Sequence, residues 1–248
     1  MAKFTLIILS FSLFLWACQT STSSENVVGN KAPIDSINTL DKSTQQDSSE
    51  ALIKENKPIK VAQLPEAVDA WVDLGDSAPS ILQDIRYATD NNFLKQQIYD
   101  CGKCWMRAEA AKALMGVQRE LQKKNKGLLV FDCYRPRPMQ KRLWEVMPDP
   151  RYVSPPSKGS NHTRGLAVDL TIVDSLGKAL DMGTDFDFFG KEAWHTNTQL
   201  SENILENRKL LKGTMETNGF KSIRTEWWHY SFLTKTKHTL ADTLWACP

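Results

Sequence analysis

Two short segments that lie far apart in the chain, SNHTRGLAVD at 160–169 and TEWWHY at 225–230, hold His162, Asp169, Glu226 and His229. These four make sense as a set only if the fold brings both segments to one point. Three of them can ligate a metal ion and still leave it an open position. The fourth is a carboxylate able to take a proton from an attacking water. Such a division of roles suits the hydrolysis of an amide.

The local patterns support that convergence. In Leu166 to Val173, LAVDLTIV, alternation puts Leu166, Val168, Leu170 and Ile172 on a core face and Ala167, Asp169 and Thr171 on the other, so Asp169 projects from a rigid strand. Gly165 lets the preceding turn fold back, which allows His162 to meet Asp169. Residues three apart on a regular strand face opposite ways. Glu226 and His229 can therefore reach one site only across a bend or bulge. His229 would bind zinc as a neutral imidazole, and Glu226 serves better as a base than as a fourth ligand, because a catalytic zinc keeps three protein ligands plus water. His195 and His238, the only other histidines, read as structural.

Around these segments the chain reads as α+β, a small, mainly antiparallel sheet covered by helices. Arg107 to Lys124 is an amphipathic helix with Ala110, Ala113, Leu114, Val117 and Leu121 on one face, followed by a buried strand at Leu128 to Phe131. Pro136 and Pro138 suit the first turn of a second helix through Leu143, Trp144 and Met147, which stops at Pro148. A third helix spans Ser201 to Thr217, with Ile204, Leu205, Leu210, Leu211 and Met215 inward and Asn218-Gly219 at its end. A last strand covers Trp227 to Leu233.

The N-terminal quarter differs in character. Residues 1–17 carry Lys3 and a short apolar run ending in Leu15-Trp16-Ala17-Cys18, which resembles a bacterial lipoprotein signal with Cys18 as the lipidated residue. Residues 18–62 are rich in Ser, Thr, Asn, Gln and Asp and read as a disordered tether, leaving 63–248 as one catalytic domain. The expected location is the periplasmic side of a cell envelope, with membrane contact through the lipid alone. A net charge of +2, with Lys and Arg spread along the chain, gives no footprint for nucleic acid. Apart from Cys18 four cysteines remain, Cys101, Cys104, Cys133 and Cys247, and four can pair in three ways. A structural disulfide or packed thiols suit Cys101-Gly-Lys-Cys104 better than a redox or zinc-ribbon motif does.

Ser160 to Asp169 and Glu226-Trp-Trp-His229 resemble the SxHxxGxAxD and ExxH signatures of the zinc D-alanyl-D-alanine peptidases, which share a fold with the Hedgehog signalling domain. Arg86 to Phe93, Asp132 to Pro136 and Met182 to Phe188 further resemble the D-alanyl-D-alanine dipeptidase branch of the VanX type. The resemblance runs from about Val72 to Phe232.

It implies that His162, Asp169 and His229 ligate one zinc ion and that Glu226 moves a proton from water to the leaving amine. Arg135 would stabilise the oxyanion, and Asp187 would pair with the substrate ammonium. Tyr87, Ser160 and Asn161 would line the dipeptide pocket. Asn161 stands where the family pattern has serine, and the cysteines at 101, 104 and 133 fall outside that pattern. The implied activity is hydrolysis of D-alanyl-D-alanine in wall-peptide turnover or scavenging. The competing readings are a D,D-carboxypeptidase acting on stem peptides, against which Asp187 argues, and a non-catalytic zinc-containing binding module, against which Glu226 and Arg135 argue.

Overall fold

The computed structural model describes residues 64–67 and 69–247; the expected signal segment, Cys18 and the tether lie outside the described residues. Among the described residues, seven strands and four α-helices follow in the order β1 (Trp71–Asp73), α1 (Leu74–Ser77), β2 (Leu82–Gln83), β3 (Trp105–Arg107), α2 (Ala108–Gln122), β4 (Gly127–Asp132), α3 (Arg137–Val146), β5 (Ala167–Val173), α4 (Glu202–Thr217), β6 (Phe220–Ile223) and β7 (Glu226–Phe232). The fold class is α+β. β1 and β3 form an antiparallel pair, and the main sheet runs β2-β4-β5-β7-β6, antiparallel except where β2 joins β4.

α2 packs on β4 of the main sheet, and α4 packs on β5, β6 and β7. α2 buries Ala110, Ala111, Leu114, Val117 and Leu121 at helical spacing. Gln118 on the same stripe is also buried: its side-chain oxygen accepts from Leu128 N at 2.8 Å, and its amide donates to the Ser80 carbonyl at 2.8 Å, so the polar group arrives with both partners. α3 starts as its prolines dictate, with Pro136 as the N-cap and Pro138 in the first turn, where a missing N–H costs nothing.

One expectation needs correction. In α4 the residues buried are Arg208, Leu211, Thr214 and Met215, while Ile204, Leu205 and Leu210 are only half-buried. Arg208 displaces them because it satisfies three backbone carbonyls, of Met182 at 2.8 Å, Glu192 at 2.8 Å and Trp194 at 3.2 Å. In β5 all seven residues are buried, so the face holding Asp169 and Thr171 is covered as thoroughly as the core face. The cover includes the 180–189 segment, where Phe186 packs on Phe131 and Trp228 of the sheet.

Both cysteine pairs are disulfides, Cys101–Cys247 and Cys104–Cys133. The first closes a sequence separation of 146, a constraint that chain entropy puts at roughly 5 kcal/mol. No helix among the described residues is long and apolar enough to cross a membrane.

Gly165 sits at φ 73°, in the left-handed region, and a Cβ there would overlap the Trp71 ring, which Arg107 covers at 3.9 Å from its centroid. Gly165→Ala should therefore lower unfolding stability by about 2–4 kcal/mol in urea titration, from backbone strain plus overpacking. A loss below about 0.5 kcal/mol, the level of a neutral surface change, would mean that Trp71 yields freely.

Candidate active site

The register of two strands sets the centre of the site. Asp169 on β5 lies directly opposite His229 on β7. His162 arrives from a 3-10 turn at His162–Arg164 that ends in left-handed Gly165, and Ser160 fixes this turn by accepting from His162 N at 3.1 Å. The three donor atoms then converge: His162 Nε2 to His229 Nδ1 is 3.1 Å, His162 Nε2 to Asp169 Oδ1 is 3.3 Å, and His229 Nδ1 to Asp169 Oδ1 is 2.9 Å.

Ligands bound about 2.0–2.1 Å from a tetrahedral ion stand roughly 3.3 Å apart. The trio therefore fits a single small metal ion without rearrangement. The histidine tautomers suit it as well. His162 Nδ1 lies 2.6 Å from the Cys133 carbonyl, which can only accept, so the proton is on Nδ1 and the Nε2 lone pair is free. On His229 the outer nitrogen, Nε2, meets Ser231 Oγ at 3.2 Å, and Nδ1 faces the cluster.

Glu226 reaches the same site through the required irregularity. Between β6 and β7 the register runs from Ser222 opposite Tyr230 to Ile223 opposite Glu226, so Trp227, Trp228 and His229 bulge from the ladder. Burial raises the Glu226 carboxyl well above its usual range, and Asp169 and Asp187 push it further while Arg135 opposes. Asp169 behaves differently. Burial works to raise it, yet His162 and His229 beside it hold it well below the ordinary carboxylate range. The environments of these two carboxyls thus push them in opposite directions.

Arg135 is buried and engaged. Its Nε and Nη2 donate to Asp132 Oδ2 at 3.0 and 2.7 Å, Nη1 donates to Gln140 Oε1 at 3.0 Å, and its charge lies 5.1 Å over the Tyr87 ring. Nη2 also approaches Asp169 Oδ2 at 3.8 Å. Asp187 adopts a left-handed backbone (φ 60°), and its carboxylate accepts from Tyr87 OH at 3.0 Å. Burial, then the charge of Asp169, raises the Asp187 carboxyl well above its usual value, while Tyr87 and Arg135 counter in part.

One cavity of about 370 Å3 gathers all nine candidates from this domain: Tyr87, Arg135, Ser160, Asn161, His162, Asp169, Asp187, Glu226 and His229. It falls within the range of roughly 300–1,000 Å3 typical of small-molecule sites. The family model described as D-Ala-D-Ala dipeptidase matches residues 69–245. The chain belongs to that family, within the M15 peptidases. It is accordingly an enzyme of the metallopeptidase class.

Curated D-Ala-D-Ala dipeptidases support the assignment. The Escherichia coli K12 protein is 34% identical over 176 residues, covering 71% of this chain and 91% of its own. That of Enterococcus faecalis V583 is 30% identical over 186 residues, covering 66% and 92%. A solved structure of a vancomycin-resistance D,D-dipeptidase in complex with a D-Ala-D-Ala phosphinate analogue matches at 20% identity and a TM-score of 0.33, over 52% of this chain and 51% of that one.

This family member also uses residues that the sequence reading passed over. Asp132 anchors Arg135 and accepts from Tyr99 OH at 2.9 Å; it stood inside the Asp132 to Pro136 stretch without a role. Gln140 joins Arg135 to the Ser154 carbonyl at 2.8 Å, and its only sequence signal is a polar residue on the buried side of α3. Ser231 takes a hydrogen bond from Asn161 Nδ2 at 3.1 Å and so links that side chain to His229. Arg208 holds the loop carrying Asp187. His195 and His238 do not line the cavity. Burial depresses His195 to about 4, and His238 meets Glu109 Oε1 at 2.6 Å.

Proposed function

We propose that this enzyme hydrolyses the free dipeptide D-alanyl-D-alanine to two D-alanines, with zinc held by His162, Asp169 and His229. The observation that carries the reading is Asp187, a carboxylate in the same cavity as the three-donor cluster and Glu226, raised by burial and, among the described residues, in no salt bridge with a basic side chain. A primary ammonium on the substrate would complete it. A zinc ion held by His162, Asp169 and His229 would supply Lewis acidity toward the scissile carbonyl and toward water.

The chain's own groups do the rest. Glu226, with its raised carboxyl, accepts the proton of the attacking water and returns it to the departing amine, a two-way task that favours a pKa near neutrality. Arg135, locked by Asp132 and Gln140, offers a fixed positive charge to the developing oxyanion. Tyr87 holds Asp187, Ser160 holds the His162 turn, and Asn161 acts on Ser231 and the cavity rim.

For the wider setting we take residues 1–17 as a signal, Cys18 as lipidated and 18–62 as a tether, which places the enzyme on the periplasmic side of an envelope in turnover or scavenging of wall-derived dipeptides. Two disulfides in the domain are consistent with an oxidising compartment.

Three measurements test these points. Glu226→Gln should bind zinc about as tightly as wild type yet lose turnover by roughly 100- to 10,000-fold, the usual range for a positioned acid–base group; loss of zinc would instead make Glu226 a ligand. Acylating the substrate amine removes the charge that Asp187 awaits, and breaking a desolvated pair costs about 3–5 kcal/mol. N-acetyl-D-alanyl-D-alanine should thus show a kcat/KM at least about 100-fold below that of the free dipeptide, with Asp187→Ala narrowing the gap. Equal cleavage of both substrates would favour the carboxypeptidase. Finally, labelled palmitate should appear on the wild-type protein and vanish with Cys18→Ser, and retention of label would rule out that anchor.

A further inference from the structure

We propose that the Cys104–Cys133 disulfide is a positioning element of the metal site, holding the Cys133 carbonyl that orients His162. The inference rests on the zinc reading given above.

The carbonyl needs an external hold because the sheet no longer supplies one. The β4–β5 ladder ends at Asp132 opposite Asp169, after a register shift between Val130 and Asp132. Cys133 is the first residue beyond it, where β5 no longer pairs with the chain. Two ties replace the ladder, and both lead to the same neighbour. Cys133 is bonded through sulfur to Cys104, and Tyr134 N donates to the carbonyl of Trp105 at 3.0 Å. Cys104-Trp105 thus holds Cys133-Tyr134 at one side chain and one backbone group.

The held segment in turn grips His162 at two points. The Cys133 carbonyl accepts from His162 Nδ1 at 2.6 Å, and Arg135 N donates to the His162 carbonyl at 3.2 Å. Between those two points runs the turn that also carries Arg135 back to Asp132. Removing the disulfide leaves the Cys133 peptide, apart from its contact with His162, on the single Tyr134–Trp105 hydrogen bond, and so loosens the acceptor that fixes both the tautomer and the ring plane of His162. Both sulfurs are buried and away from solvent, which suits a permanent brace.

The second disulfide provides the contrast. Cys101–Cys247 constrains a far longer stretch of chain, whereas the contact to a candidate ligand, the Cys133 carbonyl on His162 Nδ1, belongs to the Cys104–Cys133 pair. If disulfides acted here only through overall stability, losing either one would affect metal binding alike.

The experiment is a zinc titration of the full chain against a competing chelator, with circular dichroism to verify folding, for wild type, Cys104→Ala/Cys133→Ala and Cys101→Ala/Cys247→Ala. Loss of an outer hydrogen-bond partner of a ligand typically weakens metal affinity by about 10–100-fold. That increase in Kd is expected for the 104/133 pair, with the 101/247 pair staying within about 2-fold of wild type, far below that range. Should the first alanine pair not fold, Cys104→Ala/Cys133→Val, which refills the volume, takes its place. A folded 104/133 variant with wild-type Kd overturns the proposal, as does an equal loss in both pairs. A wild type that binds no zinc overturns the metal reading itself.

Discussion

The pairing of Asp169 with His229 across β5 and β7 is the constraint on which the site depends. Side chains alternate along a strand, so a slip of one residue would send Asp169 to the helix-covered face and part it from both histidines. The apolar residues lock the register. Val168, Leu170 and Ile172 are fully buried on one side, and Thr171 and Ala167 are buried on the other, so neither face of β5 tolerates the exchange. The bulge at Trp227 to His229 then brings Glu226 to the same cavity without disturbing that pairing.

Around this register the site concentrates negative charge. Buried Asp132, Asp169 and Glu226 and half-buried Asp187 line up around the guanidinium of Arg135, and Asp169 and Asp187 each help to raise Glu226. Arg135 alone cannot compensate so many carboxyls, since Asp132 already takes two of its donors. On the function proposed above, a metal cation and a substrate ammonium would supply the missing positive charge. Polar residues support the frame: Tyr99 and Gln140 hold the Asp132–Arg135 pair from either side, so that an expensive buried ion pair is at least fully hydrogen-bonded.

The centre of the site was legible in the sequence because His162, Asp169, Glu226 and His229 stand in short patterns whose geometry follows from local rules: alternation, a left-handed glycine and the need for a bulge. The long periodic elements were legible for the same reason, with α2, α3, α4, β4, β5 and β7 appearing within a residue or two of their expected bounds. β1, β2, β3, β6 and α1 were not, since two to four residues cannot display a period, and tertiary pairing alone makes them strands or turns. Long-range partners were hidden too. Nothing in the spacing of four cysteines chooses among three pairings, and nothing marks Arg208 or Gln140 as buried, because a polar residue on a helix declares its role only once the carbonyls it serves are in place.

The Cys101–Cys247 bond makes most of the domain a covalent ring. Arg135, the three candidate ligands, Asp187 and Glu226 all fall on its circumference, and only Tyr87 among the cavity candidates lies outside. A protease that cuts one surface loop anywhere on that ring opens it without releasing a fragment. Both new ends stay joined through sulfur, and the sheet between them keeps its partners at high local concentration. Wherever disulfides persist, a nicked molecule can therefore remain a single molecule with every group of the cavity attached.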